Sequence, residues 1–123
     1  MSRFAMLATF LVALSYPGFA AAVDDDKKIA FNTHCRTCHS FKKDDNRLGP
    51  TMYGIFGARA GEVRGYYGYS GSLSGITWDE ATLDKFIANP ASVSTSTNMI
   101  APPVANPAER GKIIEFLKSI SLR

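Results

Sequence analysis

Apolar and polar positions alternate in two regimes along this chain. Phe4 to Leu14 is an almost unbroken apolar run behind Ser2-Arg3, whereas from residue 24 onward apolar residues return at helical spacing between polar or glycine-rich stretches. Asp24-Asp25-Asp26 before Lys27 to Cys35 predicts a first helix, because acidic side chains suit the positive end of the helix dipole, with Phe31 turned inward. Thr77-Trp78-Asp79-Glu80 has the form of a capping box, Thr77 capping and Glu80 reaching back. Leu83, Phe86 and Ile87 then share one helical face until Asn89-Pro90 stops the helix. Asn106 is a cap, Pro107 a first helical residue and Glu109 the third, followed by Ile113, Phe116, Leu117 and Ile120 at i, i+3, i+4 and i+7.

The stretches between these helices are of three kinds. Residues 40–49 are polar and charged and read as a solvated loop. From Gly54 to Gly75, seven of the ten glycines are spread among Phe56, Tyr66, Tyr67 and Tyr69, and no regular period survives that density. Such a segment folds as loops around something that fills the core for it, and a flat apolar ligand larger than any side chain would do so. Ala91 to Val104, rich in Ser, Thr and Pro, is a loop that holds Met99. With no convincing strand and no repeat, the expected class is all-α, with three to five helices.

The chain has 123 residues, 46% of them apolar, which is room for one domain. The leading apolar run is broken by Pro17-Gly18, and Ala20-Ala21-Ala22 offers small residues at a cleavage site, so residues 1–22 read as a secretory signal peptide. The run is about half the ~20 residues a spanning helix needs. Cleavage leaves a domain over 23–123 and removes Arg3, so 13 basic residues face 11 acidic ones, a balance too mild and unclustered for nucleic-acid binding.

The chemistry is concentrated in Cys35-Arg36-Thr37-Cys38-His39. C-x-x-C-H is the attachment signature of a c-type haem: two thiols one helical turn apart form thioethers to the vinyl groups, and the next imidazole, His39, reaches the iron. A zinc site would need more ligands than these cysteines and His34 can provide. A thiol redox pair would not account for the glycine and aromatic middle of the chain. For the sixth iron position, His34 is excluded because it adjoins Cys35 and cannot swing to the other haem face, while a lysine would have to bind deprotonated. Met1 and Met6 lie in the leader, and Met52 follows so soon after His39 that it packs on the same side. Met99, in a loop between two capped helices, or an open position remains; a thioether is a soft, neutral ligand that raises the potential.

The same pentapeptide, followed in order by Leu48-Gly49-Pro50-Thr51, Gly75-Ile76-Thr77-Trp78, Asn89-Pro90 and Thr97-Asn98-Met99, resembles the class I cytochromes c, mitochondrial cytochrome c and its bacterial relatives among them, from about Asp26 to Ser119. The resemblance implies a fold wrapped around one covalent haem c, with Cys35 and Cys38 as thioethers and His39 and Met99 as axial ligands. It implies that the Pro50 region accepts the hydrogen bond orienting His39, that Tyr69 and Trp78 bond a buried haem propionate, and that Phe31 packs on Ile113 and Phe116. It also marks departures. Phe86 stands where mitochondrial proteins have a tyrosine reaching the methionine sulfur, Ala91, Ser92 and Asn98 replace lysines around the haem edge, and Ala101 replaces an aromatic. The implied function is single-electron transport in the periplasm, as a monomer, between redox proteins such as an oxidase, reductase or dehydrogenase, meeting membranes only through those partners. The rival is a haem enzyme or sensor, peroxidase-like or gas-binding, with an open sixth position.

Overall fold

Phe31 and Phe116 meet with ring centroids 5.0 Å apart, and this contact joins the two ends of the chain in the computed structural model, which describes residues 10–14 and 18–121. Helix α1 (Gly18–His34) lies against α4 (Pro107–Ser121), and α2 (Glu80–Ala88) packs on both α4 and the one-turn α3 (Pro90–Val93). Phe41 closes the aromatic cluster edge-on to both rings, at 5.8 Å from Phe31 and 5.5 Å from Phe116. The apolar stripe expected of the last helix is the buried one: Ile113, Phe116, Leu117 and Ile120, with Ile114 beside them. A cross-helix ion pair, Lys112 to Asp26 at 2.9 Å, and a polar contact of His34 Nε2 with Glu109 at 3.4 Å fasten the rim of this pairing. His34 is therefore engaged with α4 instead of standing alone in solvent. Exposed pairs of this kind contribute little, and the buried rings carry the joint.

The structure departs from the sequence reading in three places. Helix α1 begins at Gly18, upstream of the acidic cluster expected to start it, because Ala20–Ala22 are strong helix formers and continue the helix backwards. The greater part of the expected leader, 1–9 and 15–17, lies outside the described residues. Helix α2 is capped by Asp79, whose carboxylate accepts the Thr82 N–H at 2.8 Å. Thr77 lies two residues ahead of this cap, outside the helix, where it bridges antiparallel to Arg59. Third, Pro90 does end α2, but as the first residue of α3 it also starts a new turn inside the stretch expected to be loop.

The cap gives a pH-dependent expectation. The Thr82 N–H, followed by the Thr82 hydroxyl, holds the Asp79 carboxyl below the usual carboxylate range. Its stabilisation is thus complete above the ordinary aspartate value of about 3.9 and is lost as pH falls through the lower folded value. Asp79→Ala should lower the melting temperature at neutral pH, and the gap from wild type should close on acidification. A gap of constant size from pH 7 to pH 2.5, followed by circular dichroism, would reject the charged cap.

The glycine-rich middle forms loops, with Arg59 and Thr77 the one bridge among the described residues. It is ordered by a few backbone bonds. Ala60 N–H donates to Ile76 O at 2.9 Å, Trp78 N–H to Ala58 O at 2.9 Å and Gly57 N–H to Trp78 O at 2.8 Å. These hold Trp78, which is buried, against the 57–60 turn. Phe56 N–H reaches Ser121 Oγ at 3.1 Å, tying the same loop to the end of α4.

Candidate functional site

Helix α1 ends one residue before Cys35, and the chain then coils tightly: Cys38 N–H and His39 N–H both donate to Cys35 O, at 3.2 and 3.0 Å. This turn keeps the two cysteines three residues apart on one coil and sends the His39 ring inward, where it is 8% exposed. Its Nδ1 lies 2.7 Å from Pro50 O. A carbonyl can only accept, so Nδ1 carries the proton and the lone pair is left on Nε2, the nitrogen free to bind a metal. Burial pushes the imidazole pKa down, opposed by the Pro50 hydrogen bond, so the ring is held in its neutral, ligating form.

Gly49 makes this arrangement sterically feasible. A Cβ at that position would lie 2.6 Å from His39 Nδ1 and 2.9 Å from Nε2, and nearer still to Cε1. Gly49 N–H also donates to Cys38 O at 2.8 Å, closing the 40–49 loop back on the coil. That loop is more than a solvated connection. Asn46 accepts from Thr51 N–H and donates to Arg64 O, both at 3.0 Å, while Thr51 Oγ1 donates to Lys42 O at 2.6 Å and Tyr66 Oη to Leu48 O at 2.8 Å. Sequence reasoning quoted Leu48-Gly49-Pro50-Thr51 as a motif without assigning Gly49 a task; the signal was a glycine directly before the proline that receives the imidazole.

Both cysteines are free thiols. Burial, with Cys38 close by, pushes the Cys35 thiol up to about 12, so it stays protonated at neutral pH, which suits a redox-active dithiol poorly. Among the described residues no three His, Cys, Asp or Glu side chains are placed to hold a metal ion. Two adjacent thiols beside a neutral imidazole with a free Nε2 do fit covalent haem, in which the cysteines bond carbon and only the histidine meets the metal.

Of the other residues singled out in the sequence, Trp78 packs on Phe86, centroids 4.8 Å apart and nearly edge-on. Tyr69 packs on Tyr66 at 4.8 Å and accepts the Val63 N–H at 3.0 Å, so its hydroxyl has a structural duty in the 61–66 turn. Met52 packs against the core, half-buried. Met99 is half-buried in the loop between α3 and α4, its N–H on Thr97 Oγ1 at 3.2 Å. That loop is stitched to the glycine-rich segment: Ser72 N–H donates to Thr95 O at 3.1 Å and Asn98 N–H to Ser70 Oγ at 2.7 Å. Gly71, at φ +78°, lies so close that a Cβ would be 2.6 Å from Ser94 Oγ and 2.7 Å from Thr95 O. His39 and Pro50 are thus brought into direct contact, whereas Met99 is secured by a separate set of bonds.

No protein-family model matches the chain. It is 37% identical over 87 residues to a cytochrome c2 iso-2 of Magnetospirillum fulvum, covering 70% of this chain and 91% of that protein. It is 37% identical over 100 residues to the cytochrome c2 of Rhodomicrobium vannielii, covering 79% of each. Among solved structures, cytochrome cH from Methylobacterium extorquens superposes with a TM-score of 0.70 at 36% identity, over 78% of this chain and 97% of that one.

Proposed function

The chain belongs to the class I c-type cytochromes, electron carriers with one covalently attached haem c, and from that premise we propose that Cys35 and Cys38 form the thioethers and His39 and Met99 the axial iron ligands. The observation that carries this reading is the His39–Pro50 contact of 2.7 Å, which fixes the tautomer and aims Nε2. When bound, the haem supplies the one-electron couple and the protein sets its potential, orientation and exposure. Pro50 O holds the imidazole proton in place, so His39 stays neutral and stationary in either oxidation state. Gly49 leaves room for the ring, and the bonds from Ser70 and Ser72 hold the Met99 loop as the electron moves. Trp78 and Tyr69 are the propionate contacts in this reading; burial of Trp78 supports its part, while the Val63 contact gives Tyr69 a second task.

The protein is exported to the periplasm, with the leader removed near residue 22, and passes electrons as a monomer between an oxidase, reductase or dehydrogenase. Support comes from the leader's composition and from the exposure of Phe10, Leu11, Val12 and Leu14, each at least 71% open. No helix among the described residues is long and apolar enough to cross a membrane. The relatives bear the names of electron carriers, which favours a closed sixth position over an open one.

Two measurements on the purified holoprotein test this. The ferric spectrum should contain the weak red band of a methionine–iron bond, and Met99→Ala should abolish it; a wild type lacking the band, or a variant keeping it, refutes the His/Met pair. The intact mass should equal the chain from about residue 23 plus one haem, and a mass including residues 1–22 refutes cleavage.

A further inference from the structure

Charge is distributed unevenly along this chain. One residue in five is charged overall, so the 14 residues of 65–78 and the 23 of 86–108 should together carry about seven charges; they carry none. These two stretches are the ones the structure bonds to each other, through Ser72 to Thr95, Asn98 to Ser70 and the close approach of Gly71 to the 94–97 backbone. The fold therefore gathers both neutral stretches around Met99. Much of what they present is open: Ile100 is 96% exposed, and Ser72, Thr95, Ser96, Asn98, Pro102 and Pro103 are exposed as well. At the border, the Arg110 guanidinium is occupied by Asp84 Oδ1 at 2.7 Å and by the carbonyls of Val104 and Ala105, both at 2.9 Å. Positive charge collects elsewhere, around a cleft of about 470 Å³ where Lys27, Lys28, Lys42 and Lys43 outnumber Asp25 over Phe41 and Phe116.

We propose that the surface formed by residues 65–78 and 86–108 is the docking face for a redox protein whose own contact face is uncharged, a mix of apolar and hydroxyl groups. The proposal rests on Met99 being the axial ligand, which makes this loop the electron's way out. A carboxylate or ammonium pressed against the face would lose its water and meet no opposite charge, a cost that rejects charged partners. A neutral partner loses nothing of that kind and can cover Ile100 with apolar surface. Recognition then comes from contact at short range, and long-range steering contributes little to the encounter rate.

The chain presents such a neutral face itself, so electron self-exchange between oxidised and reduced holoprotein, read by NMR exchange broadening, probes this chemistry without a physiological partner. For the wild type the rate should change by less than about threefold between ~10 mM and ~0.5 M ionic strength, the residue of a small net charge. In the double variant Asn98→Lys/Ile100→Lys, the rate at low salt should fall at least about tenfold and recover at high salt, because like charges now face each other across the contact. Lys43→Gln should behave as wild type. A steep salt response in the wild type, a double variant as fast as wild type at low salt, or a change caused by Lys43→Gln each overturns the assignment. A stable dimer in sedimentation also overturns it, by making a second copy the resident occupant. The red methionine band is read on the same samples. Its absence from the wild type refutes Met99 ligation, whereas its presence with an unchanged double variant refutes the docking face alone.

Discussion

Gly49→Ala should dislodge the His39 ring and cost the protein both stability and its axial geometry. The added methyl would lie 2.6 Å from Nδ1 and 2.9 Å from Nε2, distances at which something must shift. The ring cannot easily be what yields, since its Nδ1 is held 2.7 Å from the carbonyl of the very next residue, Pro50. Nor can the backbone swing away freely, because Gly49 N–H is bonded to Cys38 O. Overpacking of this kind costs about 1–3 kcal/mol, and breaking the imidazole bond adds roughly 1 kcal/mol. At ~4–8 °C per kcal/mol for a domain of about 100 residues, the melting temperature should fall by about 10 °C or more. The holoprotein's spectrum should also change, and an unaltered melting curve together with an unaltered spectrum would show that the ring is not confined by Gly49. Gly54 is the contrasting position, since a Cβ there meets nothing within 4 Å and any loss would come from its positive φ alone.

Phe31→Ala should be the most destabilising single change in the helical core. The side chain is 0% exposed and sits between Phe116 and Phe41. Truncating a buried phenylalanine typically costs 3–5 kcal/mol, about 3 at the lower end where neighbours collapse into the gap. Against a total stability of about 5–15 kcal/mol this is a large share, so a midpoint shift of well over 10 °C is expected. Phe31→Leu, which keeps most of the volume, should lose less than half as much. A Phe31→Ala loss under about 1 kcal/mol by denaturant titration would mean that the α1–α4 joint is held by something other than these rings.

Much of this was legible in the chain because the relevant signals are local. The stripe Ile113-Phe116-Leu117-Ile120, the Asn106-Pro107 start and the Asn89-Pro90 stop each depend on a few neighbouring residues, and the helices lie where those signals put them. The cysteine spacing, which fits a haem-attachment motif, is a local signal of the same kind. Thr77 misled because the helix starts only at Glu80, while residue 77 is drawn into a bridge with Arg59, eighteen residues away. The start of α1 misled because acidic residues suit a helix start without requiring one, and alanines upstream were free to extend it. The role of Gly49 was hidden because it depends on a ring folded back from residue 39. The stitching of the Met99 loop was hidden likewise, since serines and glycines at 70–72 look the same in a sequence whether they face water or another strand of chain.

The meeting of α1 and α4 makes the polypeptide a ring fastened by its own two ends. Bringing Phe31 to Phe116 closes a loop of about 85 residues, roughly 2 kcal/mol dearer in entropy than a ten-residue loop, a cost that the buried rings of the clasp offset. The thiols of Cys35 and Cys38 hang directly from one half of the clasp. Cys35 N–H donates to Phe31 O at 2.8 Å, so the Cys35–His39 coil shares its backbone bonding with one half of the clasp, and whatever shifts α4 reaches that coil across about 85 residues of sequence.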